Sequence, residues 1–173
     1  SYFHTASHPW VLDPVAAGIG STRTRILTSF TENPPTIVRA NASETIALAR
    51  MWGLSGTAAT KPAGVESVDD VDSARVAAVS IAQFLTTTAP GHHAAVAVSG
   101  PVDLITDGET VFRLASGSPM MTKITGAGCA LGGVTATYLA VADPLTAAVS
   151  ASMLFNLASQ TAAETAHGPG SFQ

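Results

Sequence analysis

Charge is scarce in this chain of 173 residues: Asp, Glu, Lys and Arg make up only 12% of it. That is about half of the roughly 25% usual in soluble domains. Either much of the surface is covered by other subunits, or the chain is simply rich in alanine. Only 8 residues are Lys or Arg, the net charge is −4 and no basic run occurs, which argues against nucleic acid as a partner. Cysteine is present once, at Cys129, so no internal disulfide framework exists, and a reducing, cytoplasmic compartment is expected. The opening residues Ser1-Tyr2-Phe3-His4-Thr5 lack the basic region and apolar core of a secretory signal. They also lack an initiator Met, which suggests a fragment or a processed product.

Two stretches without charge, Ile124–Ala142 and Pro144–Ala163, are long enough to raise a membrane hairpin. The first opens on Thr-Gly-Ala-Gly, the second carries Asn156 and Gln160, and neither has basic flanks or an aromatic belt. Buried core helices are therefore expected, and no membrane.

What is present alternates between strand and helix signals. Pro9–Val15 reads as a strand ended by Asp13-Pro14, followed by a small loop over Ala16–Ser21. Thr22–Phe30 has Ile26, Leu27 and Phe30 at helical spacing, and Asn33-Pro34-Pro35 breaks that helix. Thr36–Ala40 reads as a second strand, and Asn41-Ala42-Ser43-Glu44 starts a helix carried by Ile46, Ala47, Leu48 and Met51. Gly53–Gly64 is a loop. Asp69–Thr86 is a long helix whose apolar surface includes Val71, Val76, Val79, Ile81, Phe84 and Leu85. Pro90-Gly91-His92-His93 is a turn, and Ala94–Val98 is a strand of small and β-branched residues, as a strand covered on both faces should be. Asp107-Gly108 between Leu104–Thr106 and Thr110–Leu114 signals a hairpin. Asp143-Pro144 caps and starts a last long helix, and Gly168-Pro169-Gly170 ends the pattern. The order implies one α/β domain over residues 1–173 with a largely parallel sheet. Ligands of such sheets bind beyond the carboxyl ends of the strands, a rule that selects Asp13, Arg39–Glu44 and Ser99–Asp103.

The chain is organised around Lys123–Gly133: an extended segment, a glycine turn, then an apolar helix. A helix start leaves its first N–H groups unpaired and carries partial positive charge, so Gly126, Ala127, Gly128 and Cys129 offer an anion site. Cys129 stands where a helix terminus favours thiolate, able to accept a proton or attack an electrophile; the plain alternative is a small buried hydrophobe. Asp13 and Glu44 could together hold Mg2+ or its waters, or Asp13 only turns the chain and Glu44 only completes a capping box with Asn41. Arg39 could grip a phosphate bidentately, or merely face solvent. Ser99 could reach a nucleotide phosphate, or be an ordinary turn residue before Gly100-Pro101. His92 and His93 adjoin without metal-ligand company, and His4, His8 and His167 are unremarkable by position.

The order of these signals carries more than any one of them. Trp10–Ala16, Ile37–Glu44, Val98-Ser99-Gly100 with Asp103 and Thr106-Asp107-Gly108, Met121-Thr122-Lys123 with Thr125–Cys129, and Gly168–Phe172 closely resemble hydroxyethylthiazole kinase, of the ribokinase-like superfamily. The resemblance covers nearly the whole chain. It implies a three-layer ribokinase-like α/β fold, incomplete at its N-terminus, and ATP-dependent phosphorylation of 4-methyl-5-(2-hydroxyethyl)thiazole in thiamine salvage. It further implies Cys129 as the proton acceptor facing the substrate hydroxyl, Gly126 contacting the thiazole through its backbone, and Gly126–Cys129 as the anion hole. Arg39 and Ser99 would contact ATP, Asp13 and Glu44 would serve Mg2+, and the chain would form a homo-trimer.

Arg39-Ala40-Asn41 stands where the family usually has Arg-Gly-Asn, and Ser99-Gly100-Pro101 where it has Thr-Gly-Glu. Pro101 removes both a carboxylate and an N–H. Family members also begin with further βα units that supply part of the thiazole pocket and continue past Gly-Pro-Gly-Ser-Phe. On that ground these residues alone are expected to turn over weakly or not at all. Two other readings stay open: a related kinase such as hydroxymethylpyrimidine kinase, and a non-catalytic nucleotide-binding scaffold.

Overall fold

The computed structural model describes residues 8–54, 68–88 and 93–173. The chain start, His4, His92, the side chain of Val71 and most of the loop expected over 53–64 lie outside the described residues. Among the described residues the strands are β1 (Val11–Leu12), β2 (Ile37–Asn41), β3 (Ala95–Ser99), β4 (Asp103–Thr106) and β5 (Val111–Leu114). The helices among them are α1 (Ser21–Ser29), α2 (Ala42–Met51), α3 (Val68–Thr87), α4 (Ala127–Leu139), α5 (Pro144–Thr165) and α6 (Pro169–Phe172), with a 3-10 turn at Pro119–Lys123 before α4.

The strands lie side by side in chain order, β1-β2-β3-β4-β5. β1, β2 and β3 pair in parallel, whereas β4 pairs antiparallel with both β3 and β5. Four strands thus run one way and β4 alone opposes them. Successive strand residues point to opposite faces. Val38, Ala40, Val96 and Val98 therefore pack on one side, against Leu48 and Ala49 of α2 and Ala77, Ala78, Ile81, Ala82 and Leu85 of α3. Ile37, Ala95, Ala97 and Ile105 pack on the other, against Leu139 of α4 and Ala147 and Ala148 of α5. The result is helix, sheet, helix, as the motifs imply. Ala77, Ala78 and Ala82 of α3 and Ala147, Ala148 and Ala151 of α5 sit fully buried, and their small side chains let both helices lie close on the sheet at interior packing density.

Several expected details change. The strand expected over Pro9–Val15 pairs only at Val11 and Leu12, because Pro14 has no N–H to continue a ladder. Ile26 and Val76 are exposed, so α1 and α3 turn a narrower apolar face inward than spacing suggested. The hairpin forms, yet its loop is four residues long. Asp107, without the positive φ that a two-residue Asp-Gly turn needs, accepts from the N–H groups of Glu109 and Thr110 through its carboxylate. The approach to α4 is not extended throughout: Lys123 closes the 3-10 turn and extended geometry is found at Ile124. Among the described residues no helix is long and apolar enough to cross a membrane.

Candidate active site

Strand parity starts the site. Arg39 shares the face of Ile37, the side covered by α4 and α5, and lies within β2 rather than beyond its end. In the parallel register Arg39 is opposite Ala97 and Asn41 opposite Ser99. The guanidinium of Arg39 consequently reaches along β3: Nη2 donates to Ser99 Oγ at 2.9 Å, and Nη1 approaches Asp13 Oδ2 at 3.4 Å. The side chain is 11% exposed, and its Nε is buried without a hydrogen-bond partner. The solvent-facing alternative for Arg39 is thus set aside by its burial.

Asp13 follows β1. Burial pushes its carboxyl above the ordinary value of 3.8; Arg39 opposes that shift, and the negative charge of Glu44 adds to it. Glu44 stands at the third position of α2, in a complete capping box with Asn41: Asn41 Oδ1 accepts from the Glu44 N–H, and Glu44 Oε2 accepts from the Asn41 N–H at 3.0 Å. Its other oxygen, Oε1, accepts from the N–H of Ala16 at 3.0 Å. Ala16 holds φ +56, uncommon for a residue with a Cβ. Glu44 therefore caps α2 and ties the turn after Asp13 to it.

α4 begins without a side-chain cap. Gly126, at φ +87, supplies the left-handed entry, and the first helical bond runs from the Ala130 N–H to the Gly126 carbonyl. The N–H groups of Ala127, Gly128 and Cys129 precede that bond and have no helical acceptor. In α2 and α5, by contrast, Asn41 and Asp143 accept from the first-turn N–H groups. The thiol of Cys129 is exposed.

Arg39 lies against this same turn. A Cβ at Gly128 would come within 2.6 Å of Nη1, so a larger residue there has to displace the guanidinium. One helical turn on, a Cβ at Gly132 would meet Asp13 Oδ2 at 3.7 Å. Asp13, Arg39, Ser99 and the start of α4, separate in sequence, are thus assembled in one place. The backbone N–H of Gly100 donates to Asp103 Oδ1, closing the turn after Ser99 despite Pro101. Ala16 and Gly132 were not singled out by sequence reasoning, since a small residue in a loop or an apolar helix carries no signal of its own.

A cleft of about 660 Å³ opens beside Asp13, with Val15, Ile19, Arg23, Ile26 and Phe30 among its walls. A second cleft, of about 620 Å³, lies at the amino ends of β3 and α5 under the hairpin and contains none of these site residues. Among the described residues no three His, Cys, Asp or Glu side chains gather to hold a metal by themselves. Asp13 and Glu44 are near enough for the charge of Glu44 to act on Asp13, and two carboxylates are the donor type that Mg2+ could take here. That ion commonly takes one or two carboxylates and completes its sphere with water and phosphate oxygens.

The model of the Hydroxyethylthiazole kinase family matches residues 2–173. A hydroxyethylthiazole kinase of Bifidobacterium longum (strain DJO10A) is 66% identical over 95% of this chain and 56% of the relative. The solved hydroxyethylthiazole kinase of Pyrococcus horikoshii OT3 superposes with a TM-score of 0.80 at 29% identity, over 98% of this chain and 58% of that one. A pyridoxal kinase from Staphylococcus aureus, in complex with AMP-PCP and pyridoxal, superposes at 0.61 with 22% identity over 88% of this chain and 52% of that one, a likeness of fold alone. The chain spans between half and three fifths of the length of these proteins.

Proposed function

Because the chain belongs to the hydroxyethylthiazole kinase family, we propose that it transfers the γ-phosphoryl group of ATP to the hydroxyl of 4-methyl-5-(2-hydroxyethyl)thiazole, a salvage step toward thiamine. The observation that carries the reading is Arg39, held by Asp13 and Ser99 with its guanidinium against Gly128 at the uncapped start of α4. Four separated motifs meet where an anion gathers a guanidinium, a hydroxyl and free helix N–H groups.

Phosphoryl transfer rests on positioning and charge stabilisation. Arg39 and Ser99 bind phosphate oxygens of ATP. The N–H groups of Ala127, Gly128 and Cys129, with the Gly126 turn, receive the transferred group as its charge spreads, in the manner of an oxyanion hole. Gly126 meets the thiazole through its backbone. The exposed Cys129, acting as thiolate, accepts the proton that the substrate hydroxyl gives up as it bonds to phosphorus; ADP leaves. Asp13 and Glu44 would hold Mg2+, which when bound neutralises phosphate charge. Residues 1–173 form part of a single kinase domain, and the protein assembles as a homo-trimer in the cytoplasm.

The test is a steady-state assay of ATP-dependent product formation with the thiazole alcohol and, in parallel, with the hydroxymethylpyrimidine alcohol. Preference for the thiazole, abolished by Cys129→Ala, is expected. Preference for the pyrimidine would replace this reading by the related kinase. Nucleotide binding unchanged by Cys129→Ala, with no thiazole phosphate formed even when the βα units with which family members begin are supplied, would leave a scaffold.

A further inference from the structure

Asp103 is a buried carboxylate that the proposed chemistry does not use: it is 7% exposed, at the start of β4. Its Oδ1 accepts from the N–H of Gly100 at 3.0 Å, and its Oδ2 accepts from Asn156 Nδ2 of α5 at 2.8 Å. A carboxylate only accepts, so the amide is bound to turn its nitrogen toward Asp103. The same Nδ2 reaches Ser116 Oγ at 3.3 Å. The amide oxygen then faces Gly117, where a Cβ would come within 3.0 Å of it and where φ is +103. One helical turn along α5, Ser159 Oγ accepts from the Ser118 N–H at 2.9 Å.

α5 thereby holds both approaches to the site. One is the turn after Ser99, closed by Asp103. The other is the loop 115–118, which leads through the 3-10 turn to Gly126. A continuous chain of hydrogen bonds runs from Asn156 through Asp103 to Gly100, the neighbour of Ser99, and Ser99 receives Arg39. Bonds to a buried charge are strong, and leaving such a charge unpaired is costly, so this chain has one stable arrangement.

We propose that Asn156, acting through Asp103, is a positioning residue for the nucleotide, setting the Ser99-Gly100 turn at the distance Arg39 and the phosphates require. The inference rests on the kinase reading above. It touches neither ATP nor the alcohol directly.

The test measures the Kd of AMP-PNP with Mg2+ by calorimetry, at a temperature where far-UV circular dichroism shows each variant folded. Asn156→Asp sets two carboxylates against each other, and about a tenfold weaker Kd is expected from one lost charge-assisted bond. The exchange Asp103→Asn with Asn156→Asp restores donor and acceptor in reverse order, and Kd within about twofold of the parent is expected because every hydrogen bond is kept. A merely structural role would leave Kd unchanged in every folded variant. Asn156→Ala, which adds no charge, serves if Asn156→Asp fails to fold; should neither fold, a folded exchange that binds like the parent supports the pairing and one that does not overturns it. The proposal also falls if the folded single variants bind like the parent while Ser99→Ala weakens binding. If the parent itself binds no nucleotide, the kinase reading fails, and this one with it.

Discussion

Gly128 is read in sequence as an N–H donor of an anion site, and the folded chain also sets it against a neighbour from another strand. A Cβ there would stand 2.6 Å from Arg39 Nη1, and the backbone of a first helical turn cannot yield. Gly128→Ala should therefore expel the guanidinium from its contacts with Asp13 and Ser99, and turnover should drop by at least about tenfold, the size of one lost charge-assisted contact. A circular dichroism spectrum like the parent's would place the loss in the site. Asp13 supports a second prediction. Its folded carboxyl is raised above 3.8 chiefly by burial, so between 3.8 and that raised value the folded state holds more proton than the unfolded chain. Its contribution to stability falls as pH rises through that window. Asp13→Asn keeps an acceptor for Arg39 and removes the charge. It should melt no lower than the parent at pH 7, lose that relative advantage on acidification below the window, and be inactive. Melting curves against pH, with an activity assay, test it; a variant markedly less stable at pH 7 refutes it.

At the scale of elements, α2 shows how a local motif is enlisted in a distant contact. Asn41 and Glu44 satisfy two first-turn N–H groups reciprocally, and Glu44 also takes the Ala16 N–H. Asn41→Ala should cost about 1 kcal/mol, as for other cap removals, measurable as a lowered denaturant midpoint. Ala16→Gly works in the opposite direction. Ala16 pays for a φ of +56 with steric strain, and glycine relieves it by about 0.5–1 kcal/mol after its own entropy is counted. The Glu44 bond keeps the turn in place, so a higher melting temperature with unchanged nucleotide binding is expected. A lower melting temperature would show that the turn is held by the alanine methyl.

For the whole molecule, the scarcity of charge has a visible counterpart. α5 leaves Met153, Leu154 and Leu157 exposed, and Val141 stands 84% exposed in the turn before it. The homo-trimer proposed above would be measured by sedimentation velocity as a species of three copies, independent of loading concentration. A stable monomer would reject it and return the low charge to alanine-rich composition.

The order of strands and helices, the hairpin and the capped starts of α2 and α5 were legible in the sequence, because each rests on local chemistry: periodicity, proline, glycine and side chains that reach their own backbone. The five motifs likewise point to the family, which the family match shows, and they mark Asp13, Arg39, Glu44, Ser99 and Gly126–Cys129 as candidates. Sequence left each of those residues a bland alternative, since it does not state what lies across from a side chain. Tertiary structure decided that Arg39 is buried, that Glu44 caps and clamps at once, and that Gly128 answers to a guanidinium. Parallel pairing and the packing of α4 on the sheet create those contacts, between residues dozens of positions apart, and no local pattern encodes such distances. Asn156 is the clearest instance: in sequence one of several polar residues in a largely apolar helix, in the folded chain the donor to Asp103.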